Sequence, residues 1–168
     1  MDKAQSEYRP EEADGGSMSS ELPDFVALKA RFDNEAFPNS ARAELRRVAE
    51  LDDVALLPAL YRLFPGQRPD ERYQRIAFLL PHARHAVNAK SLGAQLASAK
   101  FSEARVLQVA RSRAPQDLIQ LRRLLIHVDP AVDWQAFGKT LWYWNAISKR
   151  QLVEDFYLAQ FTPAKGAR

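Results

Sequence analysis

Apolar residues recur at helical spacing along most of the chain, and prolines and small polar residues punctuate them. In Ser40–Leu51 the stripe is Ala41, Leu45, Val48, Ala49 and Leu51. Ser40 stands where an N-cap belongs. Arg42 and Arg46 lie one turn apart on the other side, and Arg47 flanks the stripe. Asp53–Phe64 predicts a second helix that Pro58 kinks or divides. Pro69–Val87 is a third long pattern, opened by Pro69 and bent or stopped by Pro81. Ser91 opens a short helix through Ala97, and Ser102-Glu103 opens another that carries Arg105, Leu107, Ala110 and Arg111. Pro115–Val128 follows, then a helix capped by Asp133 through Trp144, then one capped by Ser148 through Phe161. No useful stretch alternates with a period of two, and no fixed-period repeat appears. The pattern predicts an all-α protein, a compact two-lobed bundle of about eight to nine helices. The expected organisation is a disordered acidic tail over 1–22, an N-terminal helical lobe over 23–90 and a C-terminal bundle over 91–165.

Two helices carry more detail. In Leu118–Val128, Leu118, Ile119, Leu121, Leu124, Leu125, Ile126 and Val128 cover most of the circumference. Gln120, Arg123 and His127 share the polar remainder. Arg122 falls inside the apolar arc, where a guanidinium needs a partner or must reach outward. It reads as structural, with Glu154 or Asp155 as partner, or as a binder if it escapes to the surface. In the tryptophan-rich helix, Trp134, Phe137, Leu141 and Trp144 share a core face. Trp142 points elsewhere, toward base stacking or a partner subunit.

Charge distribution changes the picture more than total charge. The formal net charge is +3 over 168 residues. Residues 1–24 hold two basic and seven acidic side chains, a balance of −5, which leaves +8 on the remainder. Between Arg84 and Arg123, eight basic residues face only Glu103 and Asp117. Such a body favours a polyanion, because each neutralised phosphate releases condensed counterions. The absence of cysteine excludes disulfides and thiolate chemistry, and a reducing cytoplasm fits. No apolar run reaches the roughly 20 residues of a membrane span, and the polar start does not read as a secretory signal.

Catalytic patterns are missing. There is no Gly-x-Ser-x-Gly elbow, P-loop or Gly-x-Gly-x-x-Gly. His82 and His85 have helical i, i+3 spacing but lack further ligands nearby, so no metal is expected. His127 reads as an exposed residue suited to a helix C-terminus. Asp52-Asp53 and Glu154-Asp155 are adjacent pairs that do not converge on one point of a helix. The expectation is a binder with no cofactor and no enzymatic activity. Its candidate contacts are Arg46, Arg47, Arg72, Lys90, Arg105, Arg111, Arg113, Arg123 and Lys139, with Arg42 beside them on the first of these helices. Arg105 and Arg111 stand six residues apart, about 9 Å along a helix. Arginine suits forked phosphate contacts and stacking on bases.

Leu121-Arg122-Arg123-Leu124-Leu125, His127, Asp133-Trp134, Trp144 and Leu152-Val153-Glu154-Asp155-Phe156 together resemble the C-terminal half of the CasB family. That family is the small subunit of the type I-E CRISPR surveillance complex, Cascade. Ala43–Val48, Pro58–Leu63 and Ser91-Leu92-Gly93 with Leu96-Ala97 resemble it in the same order, so the likeness spans roughly 40–160. The resemblance implies a non-catalytic, two-lobed helical protein that lies in pairs beside the crRNA-bearing backbone subunits and the large subunit. It implies a basic surface holding the displaced non-target DNA strand and stabilising the R-loop. Arg47, Arg105 and Arg123 match family basic positions, as do Arg111 and Arg122. Arg72 and Lys90 match through a loop, and Arg113 stands beside a position that can be basic. A different reading of the same basic face is a helical adaptor that meets an acidic protein surface. A third is a metal-dependent nuclease using His82 or His85.

Overall fold

The computed structural model describes residues 22–163. The expected acidic tail therefore lies outside the described residues, apart from Leu22. Nine α-helices are found among the described residues, with two 3-10 turns and one two-residue strand pair. In chain order they are α1 (Phe25–Asp33), α2 (Asn39–Arg47), a 3-10 turn (Leu51–Leu56), α3 (Pro58–Leu63) and α4 (Glu71–Leu79). A second 3-10 turn (Leu80–His82), β1 (Arg84–His85), α5 (Leu92–Ser98), α6 (Glu103–Arg111) and α7 (Gln116–Val128) follow. The chain then forms β2 (Ala131–Val132), α8 (Trp134–Trp142) and α9 (Ala146–Phe161). The architecture is all-α, as the periodicity predicts.

Local chemistry sets the helix ends. Asp24 accepts from Ala27 N at 2.9 Å, Ser91 from Ala94 N, and Asp133 from Gln135 N at 3.0 Å. Asp70 caps α4 by accepting from the amides of Arg72 and Tyr73, so Pro69 lies ahead of the helix and not in its first turn. At α9 the cap is Asn145, and Ser148 closes a capping box from the third helical position. Helix α2 starts after Pro38 and stops at Arg47, short of Leu51. Val48 turns extended, and the following residues wind as a 3-10 turn that meets Pro58, whose predecessor avoids α geometry. Pro58 therefore divides the second pattern, and Pro81 converts the end of the third into a 3-10 turn.

The strands were not expected, because a two-residue pair leaves no alternation to read. Arg84 and His85 pair in parallel with Ala131 and Val132. The bridge fastens the segment after α4 to the α7–α8 connection. His85 Nδ1 accepts from Trp134 N at 3.1 Å, and Trp134 Nε1 donates to Ala83 O. The buried Trp134 is thus satisfied at both polar ends.

One continuous apolar core runs from Phe25 and Phe32 through Phe78 and Leu125 to Trp134 and Phe156. Two glycines let helices approach closely. Gly93 on α5 meets α9, where an added Cβ would stand 2.6 Å from both Asp155 Cβ and Leu152 O. Gly138 on α8 receives the Phe25 ring of α1. In α7, Leu118, Ile119, Leu121, Leu124 and Leu125 are buried, each contributing about 1.5–3 kcal/mol. That burial fixes the rotation of α7 and so decides where Arg122 and Arg123 point.

Candidate nucleic-acid interface

Helices α6 and α7 pack side by side, and the groove between them is lined by Arg105, Gln108, Gln120, Arg123 and His127. A neighbouring hollow brings Lys100 and Phe101 against Arg105 and His127. Arg105 sits over the Phe101 ring with its guanidinium carbon 5.7 Å from the centroid, and His127 meets the same ring edge-on at 5.2 Å. Phe101 therefore orders two cationic or polar side chains while their tips remain in solvent.

Next to Arg123 on α7, Arg122 reaches to α2. Arg122 Nη2 donates to Arg46 O at 3.0 Å, across 76 residues of sequence. This bond satisfies a carbonyl in the last turn of α2 and brings Arg46 beside Arg122. The aliphatic and guanidinium portions rest on aromatic rings, Arg46 over Phe32 and Arg122 over Phe78, each 5.8 Å to the centroid. Arg47 Nε donates back to Ala43 O. Arg46, Arg47, Arg105 and Arg123 are exposed, and Arg122 is half-buried.

The local field is positive. Burial, and then the charges of Arg122, Lys29 and Arg46, push His82 down to about 4. Arg122 is itself lowered by burial and by its neighbour Arg123. Lys29 is lowered mainly by burial, against the opposing pull of Asp33. It donates to Leu80 O and pairs with Asp33 at 3.4 Å. His82 Nε2 and Arg122 Nε are buried without a hydrogen-bond partner among the described residues.

The two acids inside the basic run do not oppose this face. Asp117 is 2% exposed and accepts from Lys149 Nζ at 2.8 Å, Trp144 Nε1 at 2.9 Å and Leu118 N at 2.8 Å. Glu103 accepts from Tyr157 Oη at 2.7 Å, toward α9. The surface is accordingly more basic than the sequence balance of the segment.

Among the candidates the structure joins Arg122 to Arg46 and lines one groove with Arg105 and Arg123, while Arg47 follows Arg46 on α2. Arg72 pairs with Asp70 at 2.8 Å and lies over Trp142 at 4.5 Å. Lys90 edges a cavity between α5, α8 and α9. Arg111 is near Tyr157, on the α9 side of α6. Arg113 is exposed between α6 and α7, and Lys139 is exposed on α8.

Several readings of the sequence are corrected. Arg122 bonds the α2 backbone and does not pair with Glu154 or Asp155, because α7 turns its arginine toward α2 while α9 packs mainly on α5. Trp142 is 6% exposed and packs on Phe25 and Tyr73, so it is neither a stacking platform nor a contact for a partner. Arg42 is spent on the backbone, donating to Phe32 O, Asn34 O and Phe37 O and to Asn39 Oδ1. His82 ends a 3-10 turn and His85 lies on β1, so they do not share a helix face. Lys100 and the placement of His127 beside Arg105 were missed. Lys100 immediately precedes the Phe101 ring that organises the hollow, but its role depends on the α6–α7 pairing.

The described residues form a helical protein in which arginines of α6 and α7 line one groove and Arg122 ties α7 to α2. The family model for CRISPR-associated protein Cse2 matches residues 41–157. The chain is 33% identical over 136 residues to the CRISPR system Cascade subunit CasB of Escherichia coli strain K12, covering 71% of this chain and 85% of that protein. It superimposes with a TM-score of 0.75 on a chain in the crystal structure of E. coli Cascade bound to a PAM-containing double-stranded DNA target. That match has 34% identity and covers 83% of this chain and 98% of the other. The chain belongs to the Cse2 family.

Proposed function

We propose that the chain is a non-catalytic small subunit of a Cascade-type complex and that its α2–α6–α7 face holds the displaced DNA strand. The observation that carries this reading is the run of Arg46, Arg122, Arg123 and Arg105, with Arg47 alongside, from which Asp117 and Glu103 are turned away. Forked guanidinium groups held on aromatic rings suit phosphate contacts along a single strand without reading bases. Exchanging a DNA duplex for an RNA–DNA duplex is nearly balanced, so modest strand contacts shift the R-loop equilibrium. Family membership and the match to a DNA-bound Cascade support the context. In that context the partners are the crRNA-bearing backbone, the large subunit, crRNA, target and displaced strands, and a second copy of the chain. Arg72, paired with Asp70, and Lys90, at the cavity between α5, α8 and α9, stand outside this run, so their contribution is secondary; Arg111, Arg113 and Lys139 remain further candidate contacts.

The test is reconstitution of the complex on matched target DNA, with permanganate mapping of displaced-strand thymines. Protection should require this chain and should be lost in Arg47→Glu/Arg123→Glu with the subunit still bound. Unchanged protection in a complex that retains the variant refutes strand holding. Expulsion of the variant from the complex without DNA favours the adaptor reading.

A further inference from the structure

We infer that the acidic segment 1–21 docks on the arginine face of its own chain and competes there with nucleic acid. The inference rests on the reading of that face as a nucleic-acid contact. Residues 1–21 carry Asp2, Glu7, Glu11, Glu12, Asp14 and Glu21 against Lys3 and Arg9, a balance of −4. The face presents Arg46, Arg47, Arg105 and Arg123, none of which makes an ion pair among the described residues. Beneath it the buried Lys29 lies close to Arg46 and Arg122, and among the described residues Asp33 is the acid paired within this cationic centre.

The attachment point favours this occupant. Segment 1–21 joins the body at Leu22, which packs on the core, and Asp24 caps α1. Lys29, five residues past the cap, belongs to the cationic centre, so α1 leads from the attachment point toward it over about 8 Å. Glu11, Glu12 and Asp14 precede Leu22 by 11, 10 and 8 residues. At roughly 3.4 Å per extended residue they reach about 27–37 Å. The whole body is about 40 Å across. A short tether gives an effective concentration on the order of millimolar, enough for weak carboxylate–guanidinium contacts to populate the docked state.

The test uses the full chain and a variant with Glu7→Gln, Glu11→Gln, Glu12→Gln and Asp14→Asn, which leaves the described body unchanged. Arginine Nε–H resonances are compared by NMR at low salt and at 0.5 M salt, roughly where screening shortens the Debye length to a few ångströms. Signals of Arg46, Arg105 or Arg123 should differ between the two chains at low salt and converge at high salt. Superimposable signals at low salt overturn the docking. Fluorescence anisotropy with a labelled oligothymidylate then reads competition. The neutralised variant should bind about tenfold more tightly at low salt, with the advantage lost when Arg46→Gln/Arg123→Gln is added. An advantage that persists in that background is a long-range charge effect and overturns site competition, as does equal affinity of the two chains. If the resonances differ but neither chain binds the oligonucleotide, docking stands and the nucleic-acid reading of the face fails.

Discussion

Replacing Lys149 with methionine isolates the internal ion pair from the surface charges. Lys149 Nζ lies 2.8 Å from Asp117 Oδ2 and donates to Ser112 O at 2.7 Å. The side chains are 15% and 2% exposed, so the pair is shielded from water. Methionine keeps the length of the stem and leaves the Asp117 carboxylate with only Leu118 N and Trp144 Nε1 as donors. Stripping one partner from a buried pair costs about 3–5 kcal/mol. The two surviving donors and the partial exposure of Lys149 place the expected loss near about 3 kcal/mol. For a chain of this size that lowers the midpoint by roughly 6–12 °C. Urea denaturation followed by tryptophan fluorescence reads it as a lower midpoint at unchanged slope. Asp117→Asn completes the cycle, and the double variant should lose less than the sum of the singles by at least about 1 kcal/mol. A loss under about 1 kcal/mol in Lys149→Met, or strict additivity in the cycle, refutes the assignment. Oligonucleotide affinity measured below the melting range should stay at its original value, because Lys149 is consumed inside the molecule.

Gly138→Ala places a methyl group in the ring of Phe25. It should cost about 1–3 kcal/mol by overpacking, read by thermal denaturation, despite alanine's better helix propensity. His82 titrates near 4 in the fold against an ordinary 6.5. The unfolded chain therefore binds the extra proton first, and stability present above pH 6.5 is lost as pH falls toward 4. After allowance for solvent screening the loss is about 1–2 kcal/mol, and His82→Gln should flatten that part of the urea-midpoint profile. Arg72→Ala should leave the salt dependence of oligonucleotide binding unchanged, whereas Arg123→Ala should reduce the slope by about 0.7 for a single strand.

The helical class was legible because the apolar positions repeat every three to four residues over nearly the whole body, and burial rewards that period wherever the helices end up packing. Ser91 and Asp133 form the caps expected of them, through bonds that span only two or three residues, whereas the Asp24, Asp70 and Asn145 caps emerged only in the structure and the expected caps Ser40 and Ser102 make no capping bond. The surplus of arginine in α6 and α7 was also plain in the sequence, as was the contrast with the acidic segment ahead of the body.

Which arginines share a face was decided by tertiary contacts. Arg42 and Arg46 look equivalent on a helical projection, yet Arg42 is spent on the carbonyls of the α1–α2 connection and Arg46 remains exposed. Arg122 joins the face through a bond to α2 that no local pattern predicts. Asp117 counts as a neutralising charge in the sequence but is withdrawn to Lys149 and Trp144. Periodicity and capping are local, so residue order alone determined the helices and the net charge they carry. The register of one helix against another is set by the best burial of all side chains together, and that collective balance decided which charges meet and which are hidden.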